Sequence, residues 1–356
     1  MGWLRGGLIA CWLGVQPWLV WPALFAETSQ RLTLVCLCAA LGLLTCLESR
    51  WHAGLPAAMV VSVLWAVGVM TWHQWPIIQD GGYFEFFQES ALFSDGLLLL
   101  LAWVWGLWAW RQCPRRTWRW VAWGGVAFLA LNAGVIVVQA LGYPWTWGVV
   151  HPGKLSGLLG SDRILGAVGV FWFPWVWRHA RGLVWLPLTL VVVAGKVTAW
   201  LGLLTAWLWL SPCWGWLLAP LGGWAAWHWT DGNILLKISQ RWETWTHTWQ
   251  AILQHPWVGW GFHPMMEVQV RQTVGYALPS LHSDWLSLAF RGGLPLLLLA
   301  VGTWSWICWR GRRHAMSAGL MALGVMACGQ AIISQASIAG LVIAGTAWVL
   351  QASEVA

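Results

Sequence analysis

His282 stands in the run Ser280-Leu281-His282-Ser283-Asp284-Trp285-Leu286. An imidazole of ordinary pKa, about 6.5, is available in its neutral form near pH 7. The plainer reading is an interfacial histidine capping the helix that follows, with Asp284 in its first turn. Arg241 and Lys196 each lie beside long apolar stretches. A cation in such a place is costly unless an anion or a carboxylate compensates it. A lipid phosphate, or a salt bridge from Arg241 to Glu243 or Asp231, would serve as well as a substrate. Arg163 and Arg271 share the same polar territory without matching a local pattern. His247, His255 and His263 are spaced eight apart, which fits no metal-ligand geometry. Asp80 and Glu85 read as solvated loop charges. None of the eight cysteines forms a CxxC pair, so neither a disulfide framework nor a zinc site is indicated.

The elements that must position these residues are membrane helices. Of 356 residues 59% are hydrophobic and only 9% charged; a soluble domain needs about 25% charged residues to cover its surface. The net charge of +7 comes from short basic clusters between apolar runs, an orientation signal rather than a nucleic-acid-binding face. A span needs about 20 apolar residues. Such runs lie near 7–25, 31–47, 55–73, 91–110, 118–141, 158–177, 284–309, 314–332 and 335–351. A further stretch, 180–229, is broken by Gly195-Lys196 and Ser211-Pro212. It gives three short spans, or two with a re-entrant piece, for about twelve in all. Leu24 and the interrupting Trp, Pro and Gly argue against a cleaved leader at the start.

Counted alternately, Arg5, Arg50, Arg111, Arg115, Arg116, Arg119, Arg178, Arg181, Arg310, Arg312 and Arg313 fall on one side, in short loops. That bias makes the side cytoplasmic and places both termini there. The opposite side carries Arg31, Arg163, Arg241 and Arg271, with Arg291 just inside a span, and Lys154, Lys196 and Lys237. Trp outnumbers Phe 39 to 10; many tryptophans sit at span ends and suit the headgroup layer. Residues 74–90 are acidic, and residues 230–283 form the one long outer loop. Loops of that length are usually functional or disordered. Its tryptophans argue for a folded segment, with a helix from about Gly232 to Gln254 that ends at His255-Pro256. Gly259-Trp260-Gly261 reads as a tight turn.

Within residues 150–310 the sequence resembles the O-antigen ligase and O-antigen polymerase family of bacterial inner-membrane glycosyltransferases. Arg241 and Trp245 match the opening of that family's central segment, and Gly259-Trp260-Gly261 its centre. His282, Ser283 and Leu286 match its end, and Gly292 or Gly293 closes it. Gly157 to Asp162 and Gly195 to Ala199 are weaker echoes upstream. Lys196 replaces a usual arginine, keeping the charge without the bidentate fork that suits phosphate. Arg291 stands where an acidic residue is common, and Trp285 where a tyrosine is.

The resemblance implies an all-α, GT-C-like polytopic protein of about twelve spans, a single membrane domain over 1–356 whose outer loop 230–283 carries part of the site. It implies transfer of a glycan from an undecaprenyl-diphosphate-linked donor to an acceptor hydroxyl, at the outer face of the bacterial inner membrane, in cell-envelope and lipopolysaccharide synthesis. On that reading His282 activates the acceptor, Arg241 and Lys196 hold the diphosphate, and Arg163, Arg271 and Asp284 are secondary candidates. No metal, nucleotide or other cofactor is implied. The acceptor is lipid A core, another repeat unit or a protein hydroxyl. Outside this class the rival is a transporter or flippase of a lipid-linked or anionic substrate. It would be expected to carry mid-membrane ion pairs or two matching halves, and the sequence displays neither.

Overall fold

The computed structural model describes residues 110, 113, 115–143, 155, 157–159, 161–211, 234–261, 281–333 and 336–353. The runs expected before residue 110, the acidic 74–90 segment and the run near 213–229 lie outside these. Among the described residues the chain is all helical, without strands. We number the helices α1 (Arg115–Ala140), α2 (Asp162–His179), α3 (Trp185–Ala194), α4 (Val197–Leu210), α5 (Ile234–Gln254), α6 (Asp284–Arg310), α7 (Ala315–Gly329) and α8 (Ala336–Ser353). Two of them contain stretches long and apolar enough to cross a membrane, Thr117–Ala140 and Asp284–Arg310. Both turn large apolar side chains outward, Trp120, Trp123, Leu131 and Val137 on α1, and Leu298, Val301, Trp306 and Trp309 on α6.

The break expected at Gly195-Lys196 is a hairpin. Gly195 adopts the left-handed conformation and ends α3, and Lys196 opens α4. The packing on α2 gives the directions. A Cβ at Gly166 would stand 2.9 Å from Ala199 and 3.1 Å from Ala194, so both arms begin there. Farther along α2, Gly169 meets Leu190 and the Pro187 carbonyl, whereas Phe173 stacks on Trp207. α3 therefore runs antiparallel to α2 and α4 parallel to it. With 10 and 14 residues the arms are about 15 and 21 Å long, shorter than a bilayer core of about 30 Å.

α7 is the central helix, sheathed by α2, α4, α6 and α8. Its small residues permit this: Gly319 lies against the Phe171 carbonyl, and Gly324 beneath the Trp304 indole. Close approach through small residues is how helices associate where lipid tails are as apolar as leucine. Two ends of the bundle result. At one, Arg178 Nη1 donates to the Arg313 carbonyl at 2.6 Å, uniting the 178–181 and 310–313 basic clusters. α2 carries the chain to this end from the other, where the site candidates lie.

Candidate functional site

The site end is assembled from six directions. Asn132, fully buried on α1, accepts from the Leu158 N–H at 3.1 Å, and Gln139 accepts from Gly157 N–H at 3.0 Å. These bonds fix the single turn Gly157–Leu159 and deliver Asp162 and Arg163 at the start of α2. The α3–α4 hairpin brings Lys196 Nζ to 2.8 Å from Asp162 Oδ2. From α5, Arg241 Nη1 donates to the Gly329 carbonyl at 3.0 Å, at the end of α7. α5 itself covers Ile234–Gln254 and stops at the His255-Pro256 step, as its sequence requires.

His282 occupies the join between the loop and α6, in a left-handed conformation with φ 46. This is a strained state for a residue bearing a Cβ, sustained only when its neighbours are held. Both are. The Leu281 carbonyl accepts from Trp245 Nε1 at 3.2 Å. Ser283 caps α6, accepting from the Leu286 N–H at 3.3 Å while its own hydroxyl donates to the Ala327 carbonyl at 3.2 Å. Asp284 then accepts from the N–H groups of Ile332 and Ile333, each at 2.7 Å, and ties the α7–α8 link to the start of α6.

The electrostatics around His282 are dominated by cations. Burial lowers the pKa of His282 below the ordinary imidazole value, and the charges of Arg163 and Arg241 lower it further. Burial also depresses Arg241, as does the charge of Arg163. Neither guanidinium has a carboxylate partner among the described residues. Of the two partners that the sequence offered for Arg241, Glu243 is exposed and makes no ion pair with it, and Asp231 lies outside the described residues. A partly buried Arg241, with the exposed Arg163 as a second like charge near the same imidazole, forms an arrangement that an anion stabilises.

A second assembly backs the first. α6 is kinked at Gly293, where φ is 76 and ψ 175. Pro295 has no N–H to give the Arg291 carbonyl, and Leu294 N–H turns aside to the Pro256 carbonyl at 2.8 Å. The carbonyls of Phe290 and Arg291 thereby lose their helical donors. Trp260 N–H and Gly261 N–H replace them, at 2.8 and 2.9 Å. A Cβ at Gly259 would stand 2.6 Å from the Arg291 carbonyl, and one at Gly293 would run into the Trp257 carbonyl oxygen. Both glycines have positive φ, so the Gly-Trp-Gly turn and the closing glycine are two halves of one backbone splice. The Trp260 ring stacks on Phe290 and its Nε1 donates to the Ala251 carbonyl at 2.8 Å, locking the splice to α5.

Of the residues singled out by sequence, His282, Arg241 and Arg163 converge. Lys196 arrives beside them already paired with Asp162, and Asp284 acts as a backbone tie. Arg271 and His263 lie outside the described residues. Among those described, no three His, Cys, Asp or Glu side chains converge on a metal-sized site. Sequence reasoning passed over Asn132, Gln139 and Gln330, and gave Thr198 no role of its own within the echo at 195–199. Asn132 and Gln139 had a signal, because polar side chains inside an apolar span need partners. Thr198 is 8% and Gln330 2% exposed. Each buries an oxygen without a hydrogen-bond partner among the described residues, beside Gly329 at the Arg241 contact. No protein-family model matches the chain, and no curated protein is similar to it.

Proposed function

We propose that the protein is a membrane glycosyltransferase that moves a glycan from an undecaprenyl-diphosphate-linked donor to an acceptor hydroxyl at the outer face of the bacterial inner membrane. One observation carries the reading: the charges of Arg163 and Arg241 both bear on a half-buried His282, and neither arginine has an ion-pair partner among the described residues. A diphosphate supplies the missing charge, and it is the group that leaves. The acceptor hydroxyl gives its proton to His282 as its oxygen bonds to the anomeric carbon. The bond from that carbon to the diphosphate oxygen breaks, and the lipid diphosphate departs with the electron pair. Direct displacement inverts the anomeric centre. Guanidinium charge beside the departing oxygen stabilises the transition state, and a positioned base contributes about 10²–10⁴-fold. The motif common to ligases, polymerases and protein transferases leaves lipid A core, a further repeat unit or a protein as the acceptor.

The test is glycan transfer by membranes carrying the wild type, His282→Ala or Arg241→Ala, supplied with lipid-linked oligosaccharide and each acceptor. Transfer by the wild type that vanishes in both variants at equal expression supports the reading. Full transfer by His282→Ala removes the base, and no transfer to any acceptor removes the enzyme.

A further inference from the structure

Thr198 is the buried residue that the mechanism above leaves unused. Threonines inside helices usually donate to a carbonyl one turn back, and Thr189, Thr205, Thr246 and Thr248 do so here, at 2.7–2.8 Å to the residue four earlier. Thr198 cannot, because residue 194 belongs to α3, on the far side of the hairpin turn. Its hydroxyl has no partner among the described residues although the side chain is more than nine-tenths buried. A buried hydroxyl left unmade costs more than a made one gains.

Its position indicates a partner. Thr198 Cγ2 and Arg241 Nη1 stand 3.0 and 3.9 Å from the single point that a Cβ at Gly329 would occupy. One step of χ1 between staggered wells, both open to threonine in a helix, exchanges that methyl for the hydroxyl. The hydroxyl then lies against Gly329, whose carbonyl Arg241 Nη1 holds. Thr198 is also in the first turn of the 14-residue α4, where the Ala199 and Trp200 N–H groups already donate to the Lys196 carbonyl at 3.0 and 3.2 Å, and those of Val197 and Thr198 have no intrahelical acceptor. Lys196, at the cap position, makes no side-chain cap bond, and its charge is taken by Asp162. Helix amides, a hydroxyl donor and an arginine together make an anion site.

Resting on the transferase reading, we infer that the diphosphate of the donor is held by Arg241, the Thr198 hydroxyl and the Val197 and Thr198 amides at the start of α4. Lys196 then serves as a strut to Asp162 and not as a phosphate ligand. The hydroxyl donates to a phosphoryl oxygen, and no bond is made or broken in this contact.

The experiment is binding of inorganic pyrophosphate, and separately of geranyl diphosphate, to the purified full chain in nanodiscs by calorimetry. The variants are Thr198→Val, Thr198→Ser, Arg241→Gln and the double variant Asp162→Asn/Lys196→Gln, each checked for an unchanged melting temperature. Thr198→Val should bind about tenfold more weakly, as loss of a hydrogen bond to a charged group requires. Thr198→Ser should restore binding, and the double variant should stay within about twofold of wild type, since neutralising both partners removes no charge-assisted donor from the site. Unchanged binding by Thr198→Val, or a loss in the double variant as large as in Arg241→Gln, overturns the inference. If Arg241→Gln alone loses binding, the diphosphate reading survives without Thr198. If the wild type binds neither probe, both fall.

Discussion

Among the described residues two histidines precede helices, one at each end of the bundle, and they are held in opposite ways. His314 caps α7 with its own ring: Nδ1 accepts from the Met316 N–H at 3.3 Å, and the imidazole packs edge-on against Trp348. Burial, and then the charges of Arg178 and His179, push its pKa down to about 4. Its nitrogen is spent on the backbone. His282 sits one residue outside α6, and Ser283 does the capping. The arginines differ in the same sense. At the His314 end Arg178 bonds a carbonyl, while Arg310 and Arg312 lie over Trp306 and Trp309 at 5.2 and 4.8 Å. Those charges reach water and π faces. At the His282 end Arg163 and Arg241 bear on one another and on the imidazole. Identical residue types thus build an anchor at one end and a charged cluster at the other, and the difference is whether a local partner satisfies them.

Substitutions should separate the ends. His282→Ala is expected to lower glycan transfer by about 10²-fold or more with little change in melting temperature. His314→Ala should do the reverse, costing about 1 kcal/mol of stability while transfer persists in the surviving folded protein. Equal losses of transfer in the two would erase the distinction.

Arg241→Gln comes next. Transfer needs neutral His282, and the low folded-state pKa keeps it neutral below the usual imidazole range. Removing a neighbouring positive charge makes protonation easier, so the acid limb of the pH–kcat/KM profile should move to higher pH. Burial, the larger cause, still holds it below an ordinary histidine. The limb for kcat should already lie higher than that for kcat/KM in the wild type, because a bound diphosphate favours imidazolium. Coincident limbs would mean that no anion sits beside His282.

Gly293→Ala forces a side chain into left-handed backbone and against the Trp257 carbonyl. Thermal or denaturant unfolding should show a loss of about 2 kcal/mol, with transfer falling too as the splice that supports His282 loosens. Asp284→Ala removes two charge-assisted bonds to Ile332 and Ile333, worth about 1.5–3 kcal/mol before relaxation. Smallest of all is Arg312→Gln at the anchored end, with a change below about 1 kcal/mol and no effect on transfer.

Much of this was legible in the residues. Apolar run lengths indicated helices, and α5 ends where Pro256 follows His255, because the residue before proline is driven out of the helical region. The break at Gly195-Lys196 was visible as a glycine between apolar segments, and Gly-Trp-Gly as a turn. Its partner was not, since the Phe290 and Arg291 carbonyls become orphans only once Pro295 and the Gly293 kink act together. Nor was the pairing of Lys196 with Asp162, which are 34 positions apart and meet only because α3 doubles back along α2. Thr198 stood in the sequence only as one member of the weak echo at 195–199: a threonine at the start of an apolar helix is unremarkable until its turn-back carbonyl is found to belong to another helix.

The sequence by itself determined the helical class, the basic clusters and the local caps and breaks, because these depend on composition and on neighbours within about one turn. Tertiary structure alone decided which charges find partners. Whether an arginine is an anchor or a ligand for an anion depends on which carbonyl, ring or carboxylate a distant helix brings within about 4 Å, and on how much water that helix displaces.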